Sequence, residues 1–265
     1  MILGLVGSEM CIRDRSRGGS DHSATAIANL IDADKVVLWK DVPGIYSINP
    51  RWGIRSETIP YLNYQEAIEL SLMDTPVLHP STIEPLIEPN IQMEVRHLYH
   101  SNHDEKTVIG PELPEKELKA VGCLPNVISL GFSHHHVDSH QRQLVKILGE
   151  LAKNEVHWWG LESRLGDSRL IVSQHDMHRA STIFEQFNID ANHHQHLGLL
   201  SLIGCKEADV ETINTLFDTT EFELSWLNQT SSAARVAIDG EDLSQALQLL
   251  YALIQEQNTS VAQQS

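Results

Sequence analysis

Apolar positions along this chain change their period several times, and each change marks a new element. Small residues at Ala24-Thr25-Ala26-Ile27-Ala28 fall in a helix expected over 21–31. The run Lys35-Val36-Val37-Leu38-Trp39 then reads as a strand over 35–40. Pro43-Gly44 fits the two central positions of a type II turn, proline fixing φ and glycine accepting φ > 0. Ala67, Ile68, Leu70 and Leu72 give 64–73 the apolar face of a helix, which Pro76 and Pro80 interrupt. A short helix with Ser81 as N-cap and a strand over 91–98 follow. Such alternation predicts an α/β domain over 17–99, the second half of a three-layer sandwich. Residues 100–119, rich in Pro, Glu and Lys and broken at Gly110-Pro111 and Pro114, read as a linker.

Beyond the linker the pattern repeats. Strand 127–131, helix 139–153, strands 155–161 and 168–173 and helix 176–187 form one β-α-β-β-α unit. Strand 198–204, helix 207–217, strands 222–227 and 234–239 and helix 241–254 form a second. In the last helix Leu243, Ala246, Leu247, Leu250 and Leu253 or Ile254 share one face. Two α+β domains, 120–196 and 197–256, are therefore expected, with a polar tail over 257–265.

Composition narrows the classes. The chain has 265 residues, 41% hydrophobic and 21% charged, ordinary proportions for a soluble globular protein. A net charge of −17 argues against nucleic acid or an anionic membrane as partner, and no apolar run reaches the length of a span. Three scattered cysteines, Cys11, Cys123 and Cys205, suit a reducing cytoplasm better than a disulfide framework. Residues 1–16 lack the order of a secretory signal and read as a leader foreign to the rest.

The sharpest local chemistry is Arg17-Gly18-Gly19-Ser20-Asp21. Glycines admit close backbone approach, free N–H groups of a first helical turn attract anions, and an arginine grips a carboxylate or phosphate with two parallel bonds. A plain helix cap by Ser20 or Asp21 explains the same residues. Lys40, Arg51 and Arg55 add cations that an acidic anion-binding protein must concentrate locally.

R-G-G-S-D at 17–21, W-K-D-V-P-G-I-Y at 39–46, N-P-R at 49–51, Y-Q-E-A-I-E-L at 64–70 and V-L-H-P at 77–80 occur in an order and spacing that resemble the aspartokinase family. The resemblance implies a partial amino-acid kinase three-layer sandwich followed by two ferredoxin-like ACT domains. It implies ATP- and Mg2+-dependent phosphorylation of the side-chain carboxylate of L-aspartate, the first step toward lysine, threonine and methionine. Arg17, Ser20 and Asp21 would hold the substrate, with Arg17 and Asp21 catalytic. Lys40, Asp41, Tyr46 and Arg51 would contact the nucleotide. Homo-oligomers through the ACT domains and an amino-acid effector are also implied, although 133–139 lack the family's glycine.

Some positions depart from the family. Lys40 replaces a threonine or serine, Asn49 an aspartate, and Pro76 a nucleotide-binding lysine. Pro76, with F-E-L-S-W at 222–226, resembles the bifunctional aspartokinase–homoserine dehydrogenases. The phosphate-binding K-F-G-G motif is not in the sequence, so the chain is expected to be inactive alone. A non-catalytic ACT regulatory or assembly module is the alternative. The histidines at 134–136 and at 193, 194 and 196 lack a zinc-enzyme pattern, so no metal site is expected and loops are expected there instead; His79 reads as a structural turn residue.

Overall fold

The computed structural model describes residues 19–73, 77–99, 105–113, 117–133, 137–164, 166–189, 191–220 and 222–262. Arg17, Gly18, Pro76, His134, His135 and His136 lie outside them. The first part contains α1 (Gly19–Leu30), β1 (Lys35–Lys40), a 3-10 turn (Pro50–Trp52), β2 (Tyr61–Asn63), α2 (Tyr64–Ser71), α3 (Pro80–Ile87), β3 (Gln92–His97) and β4 (Lys106–Gly110). The strand order is β1-β3-β4-β2, with β1 parallel to β3, β2 parallel to β4, and β3 antiparallel to β4. Val36, Leu38, Met93, Val95 and Ile109 of the strands meet Ala67, Leu70, Ile83 and Leu86 of the helices in one core. Full burial of each large side chain contributes roughly 1.5–3 kcal/mol.

Local chemistry sets the helix starts. Asn63 accepts from Glu66 N at 2.9 Å, and Glu66 Oε2 accepts from Asn63 N at 2.8 Å, a reciprocal cap that starts α2. At α3 the cap is His79, not the expected Ser81: its ring Nδ1 accepts from Ser81 N, while Pro80 opens the helix where an N–H is dispensable. His22 and Asn29 of α1 bond to the carbonyls of Ser81 and Pro85, fixing α1 against α3.

Two expectations fail in this part. Residues 106–110 are not linker but β4, and Thr107 on it is fully buried. Its hydroxyl accepts from Ile45 N at 2.8 Å and donates to Ile59 O at 2.7 Å, so one side chain ties two loops to the sheet. Gly44 is not among the described glycines with positive φ, so the type II turn is not formed. Glycine serves there through size: a Cβ would stand 2.5 Å from Thr107 Oγ1.

The second part is one six-stranded sheet, β6-β7-β5-β8-β10-β9, built from β5 (Ala120–Ser133), α4 (Val137–Lys153), β6 (Trp158–Arg164), β7 (Asp167–Ser173), α5 (Met177–Gln186), β8 (Asn192–Ile203), α6 (Glu207–Asp218), β9 (Ser225–Gln229), β10 (Ala233–Asp239) and α7 (Leu243–Ala262). Strands β5 and β8 are long enough to serve both halves. Residues 127–133 of β5 pair with β7, and its 120–124 segment pairs with 199–203 of β8, which pair on their other side with 233–237 of β10. Each half thus has the four-strand order of a ferredoxin-like α+β unit, and the second borrows its last strand from the start of β5. Asn126 and His196, both at positive φ, sit where the registers shift between the halves. His193, His194 and His196 therefore belong to a strand, not to a loop as expected.

The two parts share packing. Ile48, 1% exposed, enters the core of Leu118, Val121, Leu200, Val236 and Leu250, with Trp52 and Ile54 beside it. Val121 N donates to Ser47 O at 2.8 Å. From α2, Glu66 pairs with Lys119 at 2.9 Å and Glu69 with Arg235 at 2.6 Å.

Candidate functional site

Helix α1 begins at Gly19, so Ser20 and Asp21 lie in its first turn, where backbone N–H groups are unspent and a carboxylate is favoured by the helix dipole. Asp21 Oδ2 accepts from Lys40 Nζ at 2.5 Å. Lys40 is the last residue of β1, so the pair joins the start of α1 to the C-terminal end of a strand that runs parallel to β3. Ligands of open α/β sheets sit at such strand ends. Asp41 follows Lys40 and is exposed, as is Ser20.

The chain then runs through Pro43-Gly44 to Tyr46, which bridges to Thr58. Tyr46 lines a cavity of 480 Å³ with Arg55, Ser56, Glu57, Thr58 and Glu105. Arg51 is exposed on the 3-10 turn; Asn49 caps that turn by accepting from Arg51 N at 3.0 Å, and Gly53 closes it at φ 73°. An asparagine supplies the same capping oxygen as the aspartate it replaces, so this departure costs the loop nothing in geometry. Among the predicted residues, Asp21 and Lys40 touch, Tyr46 lies on the cavity, and Arg51 is not among the residues that line it. Arg55 lines the cavity beside Tyr46 and was legible only as part of the cationic set.

Charge is organised below this region as well. Glu94 of β3 is met by Arg96 at 2.6 Å and Lys106 at 3.0 Å, with Lys35 at 3.6 Å. Burial alone would raise its carboxyl, but the hydrogen bonds and charges of Lys106 and Arg96 outweigh that and hold it below the ordinary range. Among the described residues no three His, Cys, Asp or Glu converge as a metal site, and no helix is long and apolar enough to cross a membrane.

The fold joins a four-stranded α/β unit to a paired α+β unit built on one six-stranded sheet. Residues 4–97 match the model of the amino acid kinase family, a range that begins within the 1–16 stretch. The bifunctional aspartokinase/homoserine dehydrogenase of Buchnera aphidicola is 24% identical over 200 residues, 71% of this chain and 24% of that protein. The bifunctional enzyme of Haemophilus influenzae is 40% identical over 118 residues, 44% of this chain and 14% of that protein. The structure of Escherichia coli aspartokinase III in complex with aspartate and ADP superposes with a TM-score of 0.74 at 22% identity, covering 89% of this chain and 56% of that one. The chain resembles the aspartokinases, and it spans about a quarter or less of the length of these two bifunctional relatives.

Proposed function

We propose that this chain is the later part of an aspartate kinase, which transfers the γ-phosphoryl group of ATP to the side-chain carboxylate of L-aspartate and yields 4-phospho-L-aspartate. The observation that carries the reading is the Asp21–Lys40 contact, which sets the helix start at Gly19-Ser20-Asp21 against the strand end at Lys40. The similar E. coli protein was solved with aspartate and ADP. Phosphoryl transfer depends mainly on positioning and on donors that stabilise charge on the moving group. In this reading Arg17 grips the substrate carboxylate, Ser20 and the first-turn N–H groups hold its other end, and Asp21 orients the ammonium. Tyr46 flanks the nucleotide, and Lys40 and Arg51 supply charge to its phosphates. Asp41, an exposed carboxylate at the strand end, fits a nucleotide-bound Mg2+, whose role is to neutralise phosphate charge. Oligomers through the six-stranded sheet and an amino-acid effector on it belong to the same reading.

A second reading is a non-catalytic regulatory or assembly module, favoured by the completeness of the six-stranded sheet beside a four-stranded kinase sheet. Isothermal titration with ATP, aspartate, lysine and threonine separates them. The kinase reading expects ATP and aspartate to bind and Asp21→Asn to weaken aspartate. Heat from lysine or threonine alone would replace it with the module. Because K-F-G-G is not in the sequence, no aspartyl phosphate is expected from the purified chain with Mg-ATP.

A further inference from the structure

We propose that the cavity between the two parts binds a small organic amine that also carries an oxygen acceptor. Its volume, 380 Å³, falls in the range of about 300–1,000 Å³ usual for small-ligand sites. The walls come from three places: Ser47 and residues 57–61 of the first part, residues 113, 117 and 119 of the connection, and Gln255 and Asn258 of α7. None of the motifs read from the sequence falls on α7 or the connection.

The lining specifies the ligand. Glu57 and Glu117 bring two exposed carboxylates. The cation facing them, Lys119, is already engaged by Glu66 at 2.9 Å and stands 5.9 Å from the Tyr61 ring centroid. The field in the cavity is therefore negative, and an ammonium is favoured over an anion. Gln255 Nε2 is buried and has no hydrogen-bond partner among the described residues. A buried amide N–H without an acceptor is penalised, so an occupant with a carbonyl or hydroxyl oxygen relieves a defect that a plain amine leaves in place. Tyr61 does not compete for that oxygen, since its hydroxyl donates to Pro111 O at 2.6 Å.

The position gives such binding a consequence. Glu57 and Thr58 line both this cavity and the one beside Tyr46, so the two are separated by a wall one segment thick. Burial, and after it the charge of the nearby Glu57 carboxylate, pushes up the Tyr251 hydroxyl of α7, and Val121 N donates to Ser47 O. An occupant bridging Gln255 and the carboxylates clamps α7 to the segment that leads into β2 and α2. This holds whether or not the kinase reading stands, because the test measures binding.

The test is titration calorimetry of the full 265-residue chain with glycinamide, which has both groups, against propylamine, which lacks the oxygen, and acetamide, which lacks the charge. Glycinamide should bind and the other two should bind at least about tenfold more weakly, each losing one of two polar contacts. Gln255→Leu and Glu117→Gln should each weaken glycinamide by about tenfold, with circular dichroism showing both folded. Glu117 is exposed, so its variant remains informative if the α7 variant unfolds. No heat from glycinamide up to about 10 mM, equal binding of acetamide, or an unchanged Kd in Glu117→Gln would overturn the proposal.

Discussion

Replacing Lys119 by methionine removes one partner of a buried pair and keeps the length of the side chain. Glu66 is 2% exposed and Lys119 10%, so water screens neither. Stripping one partner from such a pair typically costs about 3–5 kcal/mol, because the remaining charge is left desolvated. Here the carboxylate keeps one charge-assisted bond, from Asn63 N at 2.8 Å, which brings the expected loss to about 3 kcal/mol. Glu66→Gln alone should cost less, about 1–2 kcal/mol, since an amide oxygen still caps α2 and the ammonium can turn toward the adjoining cavity. In the double variant no buried charge remains, and the loss should fall to about 1 kcal/mol. The non-additivity, about 3–4 kcal/mol, is the measurable signature of coupling between α2 and the connection. Urea melts followed by far-ultraviolet circular dichroism at neutral pH provide the four numbers. A loss below about 1 kcal/mol for Lys119→Met, or a double variant equal to the sum of the singles, would refute the reasoning.

Gly44→Ala drives a methyl to 2.5 Å from Thr107 Oγ1, and a loss of about 1–3 kcal/mol is expected; Thr107→Ser in that background keeps the clash, so no recovery should appear in thermal melts. Glu94, held below its ordinary value in the folded chain, contributes stability that is present above about pH 4.3 and is lost as pH falls through the folded value. Glu94→Gln should therefore destabilise at neutral pH by about 1–3 kcal/mol, with the gap from wild type closing in acid melts; a constant gap would contradict the ion-pair account. Burial, then the charge of Asp209, pushes the Cys205 thiol up to about 12, so native chain should resist iodoacetamide at Cys205 by mass spectrometry until it is unfolded.

The sequence made α1, β1, α2, α3 and β3 legible because each combines a clear period with a breaker at its end. It hid β4, since Lys106–Gly110 is short and lies between polar, proline-marked stretches. What makes it a strand is tertiary: pairing on both sides by β2 and β3, and Thr107 anchoring Ile45 and Ile59. The interleaving of the two α+β halves was equally hidden. Periodicity reports one element at a time, and only pairing reveals that 120–124 complete the half that follows. The candidate site divides along the same line. Motif spacing named Asp21 and Lys40 as candidates, and their side chains touch between a helix start and a strand end. Spacing could not report that Ile48, two residues before Pro50 and three before Arg51, is buried in the core of the second part. That burial makes the Arg51 loop a structural extension of the six-stranded unit. Any shift of α7 or β5 must then move the loop that carries Arg51 or break the packing around Ile48.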